Sequence, residues 1–133
     1  MFKIVKKEFL TPNIVSMDIH APRIANAAKP GQFVIIIADE VGERVPLTIC
    51  DFNKEEGTVN IVVQTIGYST KKIAALEEGG YLRDIVGPLG QPSEFVHENI
   101  EELKNKKYLF VAGGVGTAPV YPQVKWFKEH GID

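Results

Sequence analysis

The sequence predicts a mainly β chain, a small antiparallel barrel followed by the first strand, turn and helix of an α/β unit. Three observations point there. Short stretches of alternating apolar and polar residues recur through residues 1–92 with turn residues between them, the spacing of a small barrel. The string Gly87-Pro88-Leu89-Gly90-Gln91-Pro92 then breaks the pattern. Beyond a charged stretch, the apolar run YLFVA leads into GGVGTAP and then into helical spacing, as in a helix packed on a sheet. The expected division is a barrel domain over 1–92, a connector over 93–106, and the opening of a nucleotide-binding domain over 107–133.

Composition narrows the function classes. The 133 residues suffice for a real core, and 44% hydrophobic with 24% charged is ordinary for a globular protein. The net charge of -2, with dispersed lysines apart from Lys104, Lys106 and Lys107, argues against nucleic acid as a partner. Cys50 is the single cysteine, so the chain forms no internal disulfide and holds no iron-sulfur or zinc site alone; a reducing, cytoplasmic location is expected. The longest apolar run, residues 33–38, is too short to span a bilayer, and the N-terminal MFKIVKKEFL is broken by charges.

Each element follows from local pattern. Residues 2–10 and 14–20 alternate around a Thr11-Pro12-Asn13 turn and predict an antiparallel pair. His20 has no His, Cys or carboxylate at ligand spacing and reads as a structural or surface residue. QFVIIIA after Pro30-Gly31 is continuously apolar and predicts a strand buried on both faces. A turn over 39–43, the stretch RVPLTI, a turn over 53–57 and a strand over 58–65 come next. A helix over part of 70–80 is expected, with Ser69 or Thr70 as its cap, Ile73 and Leu76 facing inward and Gly79 or Gly80 at its end. A strand over 81–86 completes the barrel, with the GPLGQP string as a closing turn. One short helix is expected near 99–103 and another over 120–130, with Pro119 and Pro122 confined to its first turn.

The stretch 44–49, RVPLTI, organises the rest. As a strand it sends Val45, Leu47 and Ile49 to one face and Arg44, Pro46, Thr48 and Cys50 to the other, so one face reads as core and the other as a site. Pro46 cannot donate to a ladder, which predicts an edge or irregularity with backbone groups free for a ligand. Arg44 and Thr48 stand roughly 13 Å apart at ~3.3 Å per residue, about half an extended dinucleotide. Downstream, Gly67-Tyr68-Ser69-Thr70 before a helix makes an anion site through unpaired amides. GGVGTAP departs from GxGxxG by setting Pro119 where the third glycine would stand, and it lacks the Gly-Lys-[Ser/Thr] of a nucleotide P-loop.

RVPLTI, GYST, GPLGQP and GGVGTAP, in this order, resemble the signature of the ferredoxin-NADP reductase superfamily. The Arg-x-Pro-Leu-Thr form is similar to that of stand-alone electron-transfer subunits: the small (alpha) subunit of NADH-dependent ferredoxin-NADP reductase, or sulfide dehydrogenase, and the electron-transfer subunit of dihydroorotate dehydrogenase. The resemblance spans essentially the whole sequence. It implies a Greek-key flavin-binding barrel and an oxidoreductase passing electrons between NAD(P)H and an iron-sulfur protein through FAD.

By the same resemblance, Arg44, Gly67, Ser69 and Thr70 hold the FAD pyrophosphate. Pro46 and Leu47 pack beside the isoalloxazine, Thr48 places its hydroxyl near flavin N5 as the catalytic contact, and Val62 and Val63 line the ribityl chain. Gly113, Gly114, Val115, Gly116 and Thr117 form the NAD(P) loop. Expected partners are a larger flavoprotein or iron-sulfur subunit, ferredoxin, or a second copy of the chain, with no metal in these residues. The further nucleotide-domain strands and the cysteine cluster for 2Fe-2S are absent, so the chain is read as a shortened member, inactive alone. A dihydroorotate dehydrogenase partner is the competing reading, and a binding module that has lost FAD is the reading from another class.

Overall fold

Alternation within the first two stretches sets the register of the whole sheet. In a computed structural model describing residues 1–133, β1 (Phe2–Thr11) and β2 (Ile14–His20) pair antiparallel, and Ile4, Val15, Met17 and Ile19 point together into the core. A short helix α1 (Pro22–Ala27), with proline in its first turn, carries Ile24 and Ala25 into that core. The strands β3 (Phe33–Ile37), β4 (Val45–Asn53) and β5 (Thr58–Gln64) follow as an antiparallel meander, and β5 turns back to pair with β2. Three hairpin-connected strands with a fourth from elsewhere in the chain beside them form a Greek key.

After α2 (Tyr68–Ala74), two strands separated by a single residue close the sheet. β6 (Tyr81–Leu82) pairs with β1, whereas β7 (Asp84–Leu89) pairs with β3, giving the order β6-β1-β2-β5-β4-β3-β7. Arg83 alone joins the two outermost strands, and its amide donates to the Ala38 carbonyl over 3.1 Å. The two ends of the sheet therefore meet, and the sheet wraps around nineteen buried residues. Each fully buried branched side chain, such as Ile61 or Val59, contributes about 1.5–3 kcal/mol from removal of its surface from water. No helix is long and apolar enough to cross a membrane.

Residues 93–133 gather around a second, smaller core. Leu103, Phe127 and Ile132 are buried there, with Phe95, Ile100, Tyr108, Phe110 and Trp126 packed against them. Helix α3 (Ile100–Lys104) is capped by Asn99, whose side chain accepts from the amides of Glu101 and Glu102. Helix α4 (Thr117–Glu129) lies against β4. The stretch expected as a connector thus supplies Phe95, Ile100 and Leu103 to this cluster.

Several expectations are corrected. YLFVA joins no sheet: Leu109 and Val111 are 88% and 82% exposed, while Tyr108 and Phe110 stack edge-on against Phe127. The alternation of a strand is present, but no neighbouring strand pairs with it. β3 buries only Val34 and Ile36, because a barrel wall has one inward face. Gly87, Pro88 and Leu89 lie within β7, with a cis Gly87-Pro88 bond, rather than in a closing turn. α2 begins earlier than expected and ends at Ala74, well before Gly79. α4 starts at Thr117, so Pro122 sits inside the helix and the Ala118 carbonyl loses its usual amide partner.

Candidate functional site

The site begins where β4 and β5 part. β4 pairs with β5 only from Ile49 to Asn53, and with β3 only from Val45 to Thr48. Over the same span Val62, Val63 and Gln64 pair with β2 instead. The strands splay apart, and a cavity of about 390 Å³ opens between Val45–Thr48 on one side and Val62, Gln64 and Ile66 on the other. Pro46 stands at this unpaired edge, as a residue without an amide hydrogen should. The face expected for a site is the one turned outward: Arg44 and Pro46 are exposed and Thr48 is half-buried, whereas Val45 and Leu47 pack against the core and Ile49 is buried in it.

The cavity shares Val45, Pro46, Ile66 and Thr70 as a common wall with a second depression of about 290 Å³. Glu43, Arg44, Gly67, Tyr68 and Ser69 surround this end. Arg44 forms no ion pair with the protein, leaving its guanidinium free for an anion. Thr70 organises the turn. Its hydroxyl donates to the Gly67 carbonyl over 3.0 Å and accepts from the amides of Gly67 and Ile66 at 2.9 and 3.1 Å. Because the first three amides of a helix have no partner within it, those of Tyr68, Ser69 and Thr70 are left for other acceptors. Ser69 Oγ donates to Glu43 Oε2 over 2.6 Å. Lys72 pairs with Asp39 at 2.8 Å, so α2 is tied to the β3–β4 loop at two points.

At the other end, the groove is walled by Val115, Gly116, Ala118 and Pro119. Gly114 needs its glycine, at a φ of +56°. Gly113 and Gly116 adopt ordinary dihedrals, and a methyl group added at either would meet nothing. Their bareness is not required by protein packing, and it leaves backbone open to close approach. Helix α4, which follows this turn, is joined to the barrel through Lys125, whose Nζ lies 2.7 Å from Asp51 Oδ1 on β4. That hydrogen bond holds the Lys125 ammonium above its usual pKa.

Most sequence-identified residues therefore meet in one groove. Arg44, Pro46, Leu47, Thr48, Val62, Gly67, Ser69, Thr70, Val115 and Gly116 line it. Val63 does not. It is wholly buried in the barrel core, because neighbours on a strand point to opposite faces and Val62 already faces the groove. Gly113, Gly114 and Thr117 belong to the adjoining turn but not to the lining. Glu43, Gln64 and Ile66 were missed, although Ile66 precedes Gly67 and is 77% exposed, and Tyr68, named only as part of the GYST stretch, also lines the site. Cys50 lies outside the lining, and burial first, then the charges of Asp51 and Asp18, push its thiol pKa up. No cluster of His, Cys, Asp or Glu could hold a metal ion.

A splayed Greek-key barrel with a free arginine at one end of the groove and a glycine turn at the other defines a barrel of the ferredoxin-NADP reductase type. The chain is similar along nearly its whole length to proteins of the ferredoxin-NADP reductase superfamily. No family model matches it. A solved structure of NADH-dependent reduced ferredoxin-NADP oxidoreductase superimposes over 100% of this chain and 46% of its own, with a TM-score of 0.89 and 40% identity. The dihydroorotate dehydrogenase B (NAD(+)) electron transfer subunit homolog of Thermotoga maritima is 43% identical over 97% of this chain and 43% of that protein. A protein of the adh 3' region of Clostridium beijerinckii is 67% identical over 99% of this chain and 45% of its own length. Phthalate dioxygenase reductase, at 19% identity and a TM-score of 0.74, shares the fold. The chain spans a little under half the length of the curated relatives it matches.

Proposed function

We propose that residues 1–133 form the FAD-holding portion of a cytoplasmic flavin oxidoreductase that passes electrons between NAD(P)H and an iron-sulfur partner such as ferredoxin. The observation that carries this reading is the pair of adjoining depressions, sharing one wall, that lie between Arg44 and the 113–117 turn. The residues fit the cofactor: an unpaired guanidinium and unpartnered amides suit a pyrophosphate, and the bare glycines suit a second nucleotide. Arg44 would grip phosphate in two-pronged fashion, with the Ser69 and Thr70 amides beside it. Pro46, Leu47 and Val62 would supply apolar walls, and Thr48 would offer its hydroxyl at the mouth of the splay. When bound, FAD supplies the hydride and single-electron chemistry.

The chain's own contribution would then be to shield the flavin from water and to meet the pyrophosphate of a second nucleotide at the 113–117 turn. No tyrosine stands at positions 46–48, so the walls beside the ring would be aliphatic. Titration of purified protein with FAD, followed by absorbance and fluorescence, tests the proposal. Saturable uptake that yields yellow protein supports it. No uptake by folded protein sinks it and favours a binding module without flavin. The Thermotoga maritima relative supports a second reading, in which the electron acceptor is a dihydroorotate dehydrogenase subunit. Comparing reduction of ferredoxin with reduction of such a subunit separates the two.

A further inference from the structure

Strand β4 changes phase at one residue. Ile49 pairs with Ile61 and Asp51 with Asn60, so Cys50 is an extra residue, a bulge in the ladder. Without it, alternation from Val45, Leu47 and Ile49 would turn Asp51 toward the core. With it, Phe52 packs on the core and Asp51 emerges on the outside, where its carboxylate meets Lys125. This is the sole ion pair between the barrel and residues 93–133. It also stands between two openings. Ala118 and Pro119, at the start of α4, wall the groove, whereas Pro122, Lys125, Trp126 and Glu129 wall a cleft of about 640 Å³ together with Asp51, Phe52 and Lys54. A tilt of α4 about this contact would widen one opening as it narrowed the other.

We propose that Asp51 and Lys125 are positioning residues: their ion pair, presented by the Cys50 bulge, fixes the tilt of α4 and so sets where the 113–117 turn stands against the barrel groove. The assignment rests on the groove being the site proposed above, but the tie itself can be tested without any ligand. Both side chains are about a third exposed, which leaves the pair strong enough to bias a tilt and too weak to hold the fold.

Hydrogen exchange on the 133-residue protein provides the measurement, with Lys125→Met, Asp51→Asn and the exchanged pair Asp51→Lys with Lys125→Asp. In the single variants, amides of residues 114–129 should exchange about fivefold faster, the upper end for an ion pair of this exposure, while those of β2 and β5 keep their rates. The exchanged pair should recover most of the protection. FAD affinity, titrated on the same proteins, should fall by no more than the exchange rates rise, about fivefold, because the pair acts on the groove only through the position of the 113–117 turn. Unchanged exchange over 114–129 in Lys125→Met would overturn the proposal, and so would an equal acceleration in the barrel strands. If Asp51→Lys disturbs the bulge, Lys125→Met decides alone. Failure of the wild-type chain to take up FAD would remove the functional reading and leave the tie standing on its exchange data.

Discussion

The Ser69 hydroxyl gives its one hydrogen to Glu43, so a carboxylate stands at the mouth of the groove beside Arg44. While that bond lasts, Ser69 can offer a phosphate only its amide. Removing the charge while keeping an acceptor should relieve repulsion: Glu43→Gln is expected to tighten FAD about two- to fivefold at low salt, with the gain shrinking as salt rises. Fluorescence-quenching titrations check this. Weaker binding in the variant would mean that Glu43 holds the turn open rather than opposing the ligand.

Arg44→Ala should weaken FAD by the loss of a charge-assisted contact, about 1.5–3 kcal/mol or roughly ten- to a hundredfold. Arg44→Lys should recover part of that, since a point charge lacks the two-pronged geometry. Unchanged affinity in a folded alanine variant would take Arg44 out of the site.

Val62 and Val63 are adjacent yet face opposite ways. Val63→Ala should cost about 1–3 kcal/mol of stability through lost burial and a residual cavity, with little effect on ligand affinity per folded molecule. Val62→Ala should do the reverse, leaving the urea midpoint nearly unchanged while loosening FAD. The same urea series run on both variants exposes any exchange of these roles.

Lys72 holds the Asp39 carboxyl below the usual carboxylate range through a direct hydrogen bond, and Asp39 in turn raises the Lys72 ammonium. A lowered folded pKa contributes stability that is complete above the unfolded value near ~3.9 and is lost as pH falls through the folded value. The lysine contribution is complete below about 10.4 and is lost as pH rises through its folded value. Asp39→Asn should therefore be less stable than the wild type between about pH 5 and 9, with the two converging in acid. Parallel denaturation midpoints at all pH values would argue against the anchor.

Residues 1–133 should take up FAD without saturable flavin reduction by NADH or NADPH. Within them the nucleotide side of the groove is the 113–117 turn and α4, which can meet a pyrophosphate but leave ribose and nicotinamide unheld. That forfeits positioning worth up to about 7 kcal/mol. Stopped-flow mixing of FAD-loaded protein with either nucleotide reads the outcome, and rapid saturable bleaching would refute it.

Local pattern made much of this legible. Alternation in 2–10, 14–20 and 58–65 is a property of single strands, and it located β1, β2 and β5 within a residue or two. Pro46 announced the unpaired edge because its missing amide hydrogen is visible in the sequence. What depended on pairing was hidden. The Cys50 bulge exists only relative to β5, YLFVA has a strand's composition but no neighbour, and α1 is too short for a periodicity to register. In the site, Arg44, Thr48 and the glycine turn carried chemical signals. Glu43 and Ile66 carried none, since they enter the groove through the way loops fold across it.

The two-residue length of β6 leaves a long outer margin on β1. Beyond Phe2 and Lys3 that margin has no strand beside it, apart from Gly79 and Gly80 bonding Ile4 and the Glu78 side chain accepting from the Lys7 amide. An open margin on a ten-residue strand is a template for foreign chains, and Phe9 and Leu10 at its far end are half exposed. The charges of Lys6, Lys7 and Glu8, together with the irregularities after Ile4 and Phe9, make that template a poor one. Neutral replacements there would be expected to leave the native fold standing and to raise its propensity to form fibrils.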